Sequence, residues 1–389
     1  MVIKALQLEN YRSFPSLRID FASQLNVLAG ENGAGKSTIL EALVTLLTWW
    51  SARLSSPSKT VSGKSIDNLA IRNEALHSCI RLFVGFPDME KGSAAWSISQ
   101  TRPGHGSMGR NELVELNIAV NDWRTKHGRD ANTPFDAIPI LALYPVNRAT
   151  LDIPNRIRTH HDFGMLSIYE RKFIGNSDFR NFFEWFRDRE DLENEKKRDT
   201  AEYQDRQLVA VRSALNAFLP DFQNWRIRRN PMHMEVMKQG ETVWVDQLSD
   251  GEKNLVAMVG DIAMRLALGN PDSAEPLNGR GIVMVDEVEL HLHPAWQHKV
   301  LPNLLEVFPN LQFFITTHSP FVLSTLNNII LERRQTSKET NIAVFSLEDG
   351  RMDTMLDEET GLLKAGRMDA VADQIDDDFA AILDKGAVE

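Results

Sequence analysis

Residues 2–8 alternate apolar and polar side chains, the period of a half-buried strand, and a polar turn follows at residues 9–13. Residues 17–21 predict a second strand. A short apolar run at 25–29 enters a glycine-rich turn, and residues 36–50 continue with helical periodicity. Residues 51–64 (Ser, Lys and Pro) and 102–110 (Gly) read as exposed loops. Residues 79–86, 95–100 and 113–120 have strand character, and the near-continuous apolar run 138–146 predicts a buried strand. Phe179, Phe182, Phe183 and Phe186 recur at helical spacing, followed by a charge-dense stretch and then Leu208, Val211, Leu215 and Phe218. This pattern predicts a helical hairpin over 178–219 that projects from a sheet-bearing body. The runs 281–285 and 312–316 each predict a central parallel strand, and no internal repeat is present. The expected class is α/β.

Composition narrows the function classes. The 389 residues are 42 % hydrophobic and 25 % charged, which excludes a disordered chain or a coiled-coil rod. One cysteine, Cys79, excludes an intrachain disulfide framework and a cysteine-rich zinc site, and it fits a reducing compartment. The first residues lack an apolar signal core. The longest apolar run, 39–50, carries Glu41 and falls short of the ~20 residues that span a bilayer. A cytoplasmic protein with no membrane partner is expected. The net charge of −11 argues against a nucleic-acid coat protein. Residues 348–389 hold 13 acidic and 4 basic side chains, however, so the remaining chain is nearly neutral, with local basic clusters at 196–198 and 226–229. DNA binding is therefore possible, though not evident.

Four motifs carry candidate chemistry. Residues 30–37 read Gly-Glu-Asn-Gly-Ala-Gly-Lys-Ser, a full phosphate-binding loop with a strand before it and a helix after it. Its glycines let backbone N–H groups curl around phosphates at a helix N-terminus. Asn32, Gly33, Gly35 and Thr38 are candidates to line the nucleotide, Lys36 to reach its β- and γ-phosphates, and Ser37 to ligate Mg²⁺. The apolar strand 282–285 then ends in Asp286 and Glu287, delivering two carboxylates to the sheet edge where phosphates bind. Asp286 is the candidate metal ligand, and Glu287 the candidate base for the attacking water. The run Leu248-Ser249-Asp250-Gly251-Glu252 opens a helix, and Ser249 with Gly251 could form a second anion site. Read alone, it is only a well-capped helix. Lastly, the strand 313–316 leads to Thr317-His318-Ser319, placing His318 as a candidate contact to the γ-phosphate or the water.

These motifs, in this order and around a long insertion, resemble the ABC-type ATPases of the SMC/RecF/OLD group. The opening Leu8-Glu-Asn-Tyr-Arg12-Ser-Phe is similar to that group's start, and the resemblance implies that Arg12 approaches the phosphates. It also implies an ABC-type P-loop head with an inserted helical subdomain, with ATP and Mg²⁺ as cofactors. Ser249 and Gly251 would act on ATP held by another protomer, residues 290–294 would form a dimer-contact loop, and His318 would be the switch histidine. The segments 144–148 and 182–186 resemble stand-alone bacterial ATPases similar to the subunits of Septu-, PARIS- and retron-type phage-defence systems. The group's glutamine after the strand that leads into the insertion has no clear counterpart, leaving Asn147 or Gln100.

The expected organisation is an N-terminal head part (1–50), an insertion (51–240), a C-terminal head part (241–347) and an acidic tail (348–389). The expected function is a dimerising ATPase switch in phage defence that controls a separately encoded nuclease or toxin. The alternative is a RecF-like ATPase that binds DNA in repair. His291, His293 and His298 could suggest a metal site, and Asp373, Asp376, Asp377 and Asp378 a nuclease centre. The histidines have no fourth soft ligand near in sequence and Cys79 is remote, while a solvated acidic helix end fits the aspartates better.

Overall fold

The apolar runs assemble into three sheets in a computed structural model, which describes residues 1–56, 61–87, 89, 92–128, 135, 137–146, 163–170, 179–336, 339, 341–348 and 350–364. The strands are β1 (Val2–Tyr11), β2 (Phe14–Asp20), β3 (Leu25–Ala29), β4 (His77–Gly85), β5 (Ser93–Thr101), β6 (Ile140–Tyr144) and β7 (Phe222–Arg229). They continue with β8 (Met232–Lys238), β9 (Glu241–Trp244), β10 (Gly281–Val285), β11 (Leu311–Thr317), β12 (Ile342–Glu348) and β13 (Arg351–Thr354). The helices are α1 (Lys36–Ser55), α2 (Val114–His127), α3 (Ser167–Glu170), α4 (Phe179–Lys196), α5 (Arg206–Phe218), α6 (Asp250–Gly269), α7 (Pro294–Val307) and α8 (Pro320–Gln335).

The central sheet runs β13-β12-β3-β11-β10-β6, and only the edge strand β13 is antiparallel. Every residue of β3, β10 and β11 is buried, as expected where both faces of a parallel sheet are covered. Parallel strands need crossovers, and α1, α7 and α8 follow β3, β10 and β11 in that role. β11 lies between β3 and β10, so the ends of those two strands stand two strand spacings apart, about 10 Å. The N-terminal sheet, β2-β1-β4-β5, is antiparallel throughout. Buried Gln312 of β11 pins it to the central sheet. Its Oε1 accepts the Ile3 N–H at 2.7 Å, and its Nε2 donates to the Ile3 and Ala22 carbonyls, both at 2.8 Å.

Three expectations change here. Residues 114–120 are helical, because Leu116, Ala119, Val120 and Trp123 share one buried helical stripe that outweighs the local strand character. The hairpin of α4 and α5 does not project. It lies on α6, with the Phe182 ring 2.8 Å from where a Cβ on Gly260 would stand. The aromatic stripe of α4 is buried there. The span 51–240 is also not one unit apart from the head, since β4 and β5 extend the N-terminal sheet and β6 joins the central one. What remains is a lobe of α3–α5 and a third sheet, β7-β8-β9, which the sequence pattern did not reveal. Arg212 of α5 braces this lobe, with Nη1 3.1 Å from Glu193 and Nη2 3.2 Å from Glu190 of α4, while Glu190 accepts the Ile227 N–H of β7.

β12 and β13 place Glu348 and Arg351–Thr354, at the start of the expected tail, in the central sheet. Asn147, Asp373, Asp376, Asp377 and Asp378 lie outside the described residues. Among the described residues, no helix is long and apolar enough to cross a membrane.

Candidate functional site

The loop after β3 holds Gly30, Gly33 and Gly35 at φ values of 149°, 86° and 102°, a conformation that side chains disfavour. At Gly35 the constraint is doubled, because a Cβ would stand 2.7 Å from the Phe14 ring. Asn32 and Gly33 are exposed, Thr38 is half-buried, and Ser37 is exposed in the first turn of α1. Lys36 is buried and turns back on its own loop. Its Nζ donates to the Gly30 carbonyl at 2.6 Å and to the Glu31 carbonyl at 2.9 Å. Burial lowers the Lys36 pKa, against the opposing fields of Glu287, Asp286 and Glu289. The lysine thus faces the carboxylates that end β10, although it touches none of them.

Thr316 of β11 organises those carboxylates. Its Oγ1 donates to Asp286 Oδ1 at 2.5 Å and accepts the Glu287 backbone N–H at 2.7 Å. The second bond holds Glu287 at φ 48°, an uncommon conformation for this residue type and one met at functional sites. Asp286 is buried and Glu287 half-buried. The exposed His318 follows β11, its backbone N–H bonded to Glu289 Oε1 at 2.7 Å and its Nδ1 3.0 Å from the same oxygen.

The second motif forms the start of α6. Ser249 caps the helix in a reciprocal box with Glu252: Ser249 Oγ accepts the Glu252 N–H at 3.4 Å, while Glu252 Oε2 accepts the Ser249 N–H at 3.0 Å and the Ser249 hydroxyl at 2.9 Å. Lys238 of β8 donates to Glu252 Oε1 at 2.8 Å. Gly251 is required sterically, because a Cβ would stand 2.6 Å from the His291 carbonyl. The helix start is therefore seated on the segment that follows Glu287 in its own chain. Among the described residues, no hydrogen bond or ion pair joins Ser249 to the loop 30–37.

Arg12 stands two residues before Phe14, whose ring packs against Gly35. Its guanidinium pairs at 2.6 Å with Glu41, one helical turn beyond Ser37. Gln100 sits on β5 and bonds Asn68. His293 caps α7, and His298 packs edge-on against Phe321. Both therefore have structural roles. Among the described residues, no group of three or more His, Cys, Asp or Glu could hold a metal ion.

Sequence reasoning missed Thr316, Glu289 and a buried triad. Tyr144 of β6 donates to Asp261 Oδ2 at 2.7 Å, and Arg265 Nε donates to the same oxygen at 2.7 Å. Burial and the neighbouring Asp261 push the Tyr144 pKa well up, while Asp261 and Tyr144 raise that of Arg265 against the effect of burial. The Tyr144 carbonyl accepts the Asp286 N–H at 2.9 Å, so the triad links α6 to the end of β10. The signal for Glu289 was available in the acidic spacing 286, 287, 289. Nothing local marked Thr316, whose partners lie about 30 positions away in sequence.

Comparison with known proteins adds a family. Residues 25–324 match the family described as "AAA domain, putative AbiEii toxin, Type IV TA system". The chain is 32 % identical to the Retron Ec83 probable ATPase of Escherichia coli, covering 83 % of this chain and 69 % of the relative. It is 22 % identical to the Septu protein PtuA of Bacillus thuringiensis, covering 85 % of this chain and 75 % of that protein. In fold it is similar to an SMC head solved bound to the C-winged helix domain of ScpA. That likeness has a TM-score of 0.51 and 16 % identity over 92 % of this chain and 98 % of the other.

Proposed function

Because the chain belongs to this AAA-domain family, and with it to the ABC-type ATPases of the SMC/RecF group found in defence systems, we propose that it is an ATP-hydrolysing switch that closes as a dimer. The observation that carries the reading is the pair of hydrogen bonds at the Thr316 hydroxyl, which presents Asp286 and Glu287 two strands from the Lys36 loop.

The residues suit a triphosphate. Lys36 spends its N–H donors on loop carbonyls, which an incoming phosphate can replace as acceptors, and the nearby carboxylates offset only part of the burial that lowers its pKa. The donor set of Ser37 and Asp286 is all oxygen, as Mg²⁺ requires. When bound there, Mg²⁺ neutralises charge on the β- and γ-phosphates. Glu287, fixed through its backbone, orients the water and accepts its proton.

In the proposed dimer, Ser249 of one protomer contacts ATP held by Lys36, Ser37, Asp286 and Glu287 of the other. Closure consumes binding energy and hydrolysis releases it, so the nucleotide sets the dimer population. The lobe of α3–α5 and β7–β9 packs on α6 and would pass this change to a separately encoded nuclease or toxin.

Two variants test the reading. Lys36→Ala removes nucleotide binding, measured with a fluorescent ATP analogue. Glu287→Gln binds ATP but hydrolyses it slowly and accumulates dimers. Unchanged affinity in the first, or parental turnover in the second, contradicts the assignment.

A further inference from the structure

We propose that Lys238 is a positioning residue for Ser249, so that the lobe sheet β7-β8-β9 sets the half of the ATP site that a protomer lends to its partner. The consequence for catalysis rests on the proposed shared dimer. The chain of bonds from Lys238 through Glu252 to Ser249 stands apart from it.

Glu252 links the two residues, and both of its oxygens are engaged. Oε1 accepts a bond from Lys238 Nζ at 2.8 Å. Oε2 accepts the Ser249 N–H at 3.0 Å and the Ser249 hydroxyl at 2.9 Å. Held from both sides, the carboxylate aims the hydroxyl of Ser249. Without Lys238 it is held from one side only, and the broad terminal torsion of a glutamate lets it turn. The Glu252 side chain is 14 % exposed, which leaves little water to screen the ion pair. Burial works to raise the Glu252 pKa, but the bonds from Lys238 and Ser249 hold it low, so the carboxylate stays charged.

The lobe fixes Lys238 in turn. This residue ends β8 and stands opposite Phe222 of β7 and Glu241 of β9. Its Nζ lies 5.3 Å from the centroid of the Phe222 ring, a cation–π contact. That ring stacks on Trp225, with centroids 5.8 Å apart and 10° between the planes. The turn into β9 has two residues, Gln239 and Gly240, at φ values of 50° and 88°, the positive pair that a tight hairpin demands. A shift of this sheet therefore carries Lys238 Nζ with it. The start of α6 is seated separately, through Gly251 on the His291 carbonyl, and the Lys238–Glu252 bond joins the two. None of these bonds involves the loop 30–37. A partner that shifts the lobe sheet thus changes what Ser249 offers the other protomer and leaves the nucleotide held by Lys36 in place.

The experiment mixes two inactive full-length chains, Lys36→Ala and Ser249→Arg, so that the first lends Ser249 and the second holds ATP. Adding Lys238→Met to the first chain should lower kcat of the mixture roughly tenfold, the effect of losing one hydrogen bond to a charged group, with KM changed less than about twofold. Adding it to the second chain, whose position 249 is not used, should leave the rate of the mixture as it was. An equal fall in both arrangements marks a merely structural role and overturns the proposal, as does no fall in the first. A second measurement needs no turnover. Amide hydrogen exchange at Ser249, followed by NMR in the otherwise unaltered full chain, should speed up roughly tenfold in Lys238→Met as the bond from the Ser249 N–H to Glu252 loosens. Unchanged exchange overturns the proposal. If the mixture without Lys238→Met hydrolyses no ATP, the shared-site reading fails, while exchange at Ser249 still decides the role of Lys238.

Discussion

Thr316 donates its hydroxyl hydrogen to Asp286 at 2.5 Å, across neighbouring parallel strands, while its oxygen receives the Glu287 N–H. One hydroxyl thereby aligns the proposed metal ligand and the proposed base. Thr316→Val keeps the shape of the side chain and removes both bonds. Each such bond is worth about 1–2 kcal/mol, so turnover should fall at least roughly tenfold, with an increased requirement for Mg²⁺. A steady-state ATPase titration against Mg²⁺ checks this, and parental kinetics would contradict it.

The buried triad of Tyr144, Asp261 and Arg265 predicts a stability effect. Asp261→Ala leaves the Arg265 charge buried without its partner, which should cost about 3–5 kcal/mol in denaturant unfolding. Tyr144→Phe removes one hydrogen bond and should cost about 1 kcal/mol. Similar losses in the two variants would show that Asp261 does not anchor the pair.

Glu252 predicts a pH dependence. Burial works to raise its pKa, but the bonds from Lys238 and Ser249 prevail and hold it below the usual carboxylate range. A depressed folded-state pKa means that the stabilisation is present above the unfolded value of about 4.3 and is lost as pH falls through the folded value. Lys238→Met should move the Glu252 pKa upward, so that acid-induced loss of structure begins at higher pH. Circular dichroism across pH 2–6 measures it, and superimposed curves would contradict the account.

Gly251 predicts a steric effect. Gly251→Ala places a Cβ 2.6 Å from the His291 carbonyl, forcing the start of α6 off that segment. ATP binding at Lys36 should persist while ATP-dependent dimerisation weakens, measured by sedimentation with and without nucleotide. Unimpaired dimers would show that this contact does not set the position of Ser249.

The parts of the fold legible in the sequence are those whose signal is local. β3, α1, β10 and β11 each carry their pattern within one short window, and the glycines and Lys36 follow directly on β3. Residues 113–120 misled because a short apolar run fits both periods, and the deciding Trp123 lies beyond it. The sheet β7-β8-β9 was missed because its exposed face is broken up by charges such as Arg226 and Arg228, which pair with Glu235 across the strands. At the site, the motif residues were legible by spacing. Thr316 and Glu289 act through contacts between strands distant in sequence, which no spacing encodes.

The central claim, that each ATP site is shared between two protomers, is tested most directly by mixing two inactive variants. Lys36→Ala cannot hold the triphosphate, and Ser249→Arg cannot contact it from the partner. A mixed dimer regenerates one complete site, with Lys36 from the second variant and Ser249 from the first. The account predicts that each variant alone is inactive and that ATP hydrolysis returns on mixing. A mixture as inactive as its components, or a Ser249→Arg protein that hydrolyses ATP as a monomer, would contradict it.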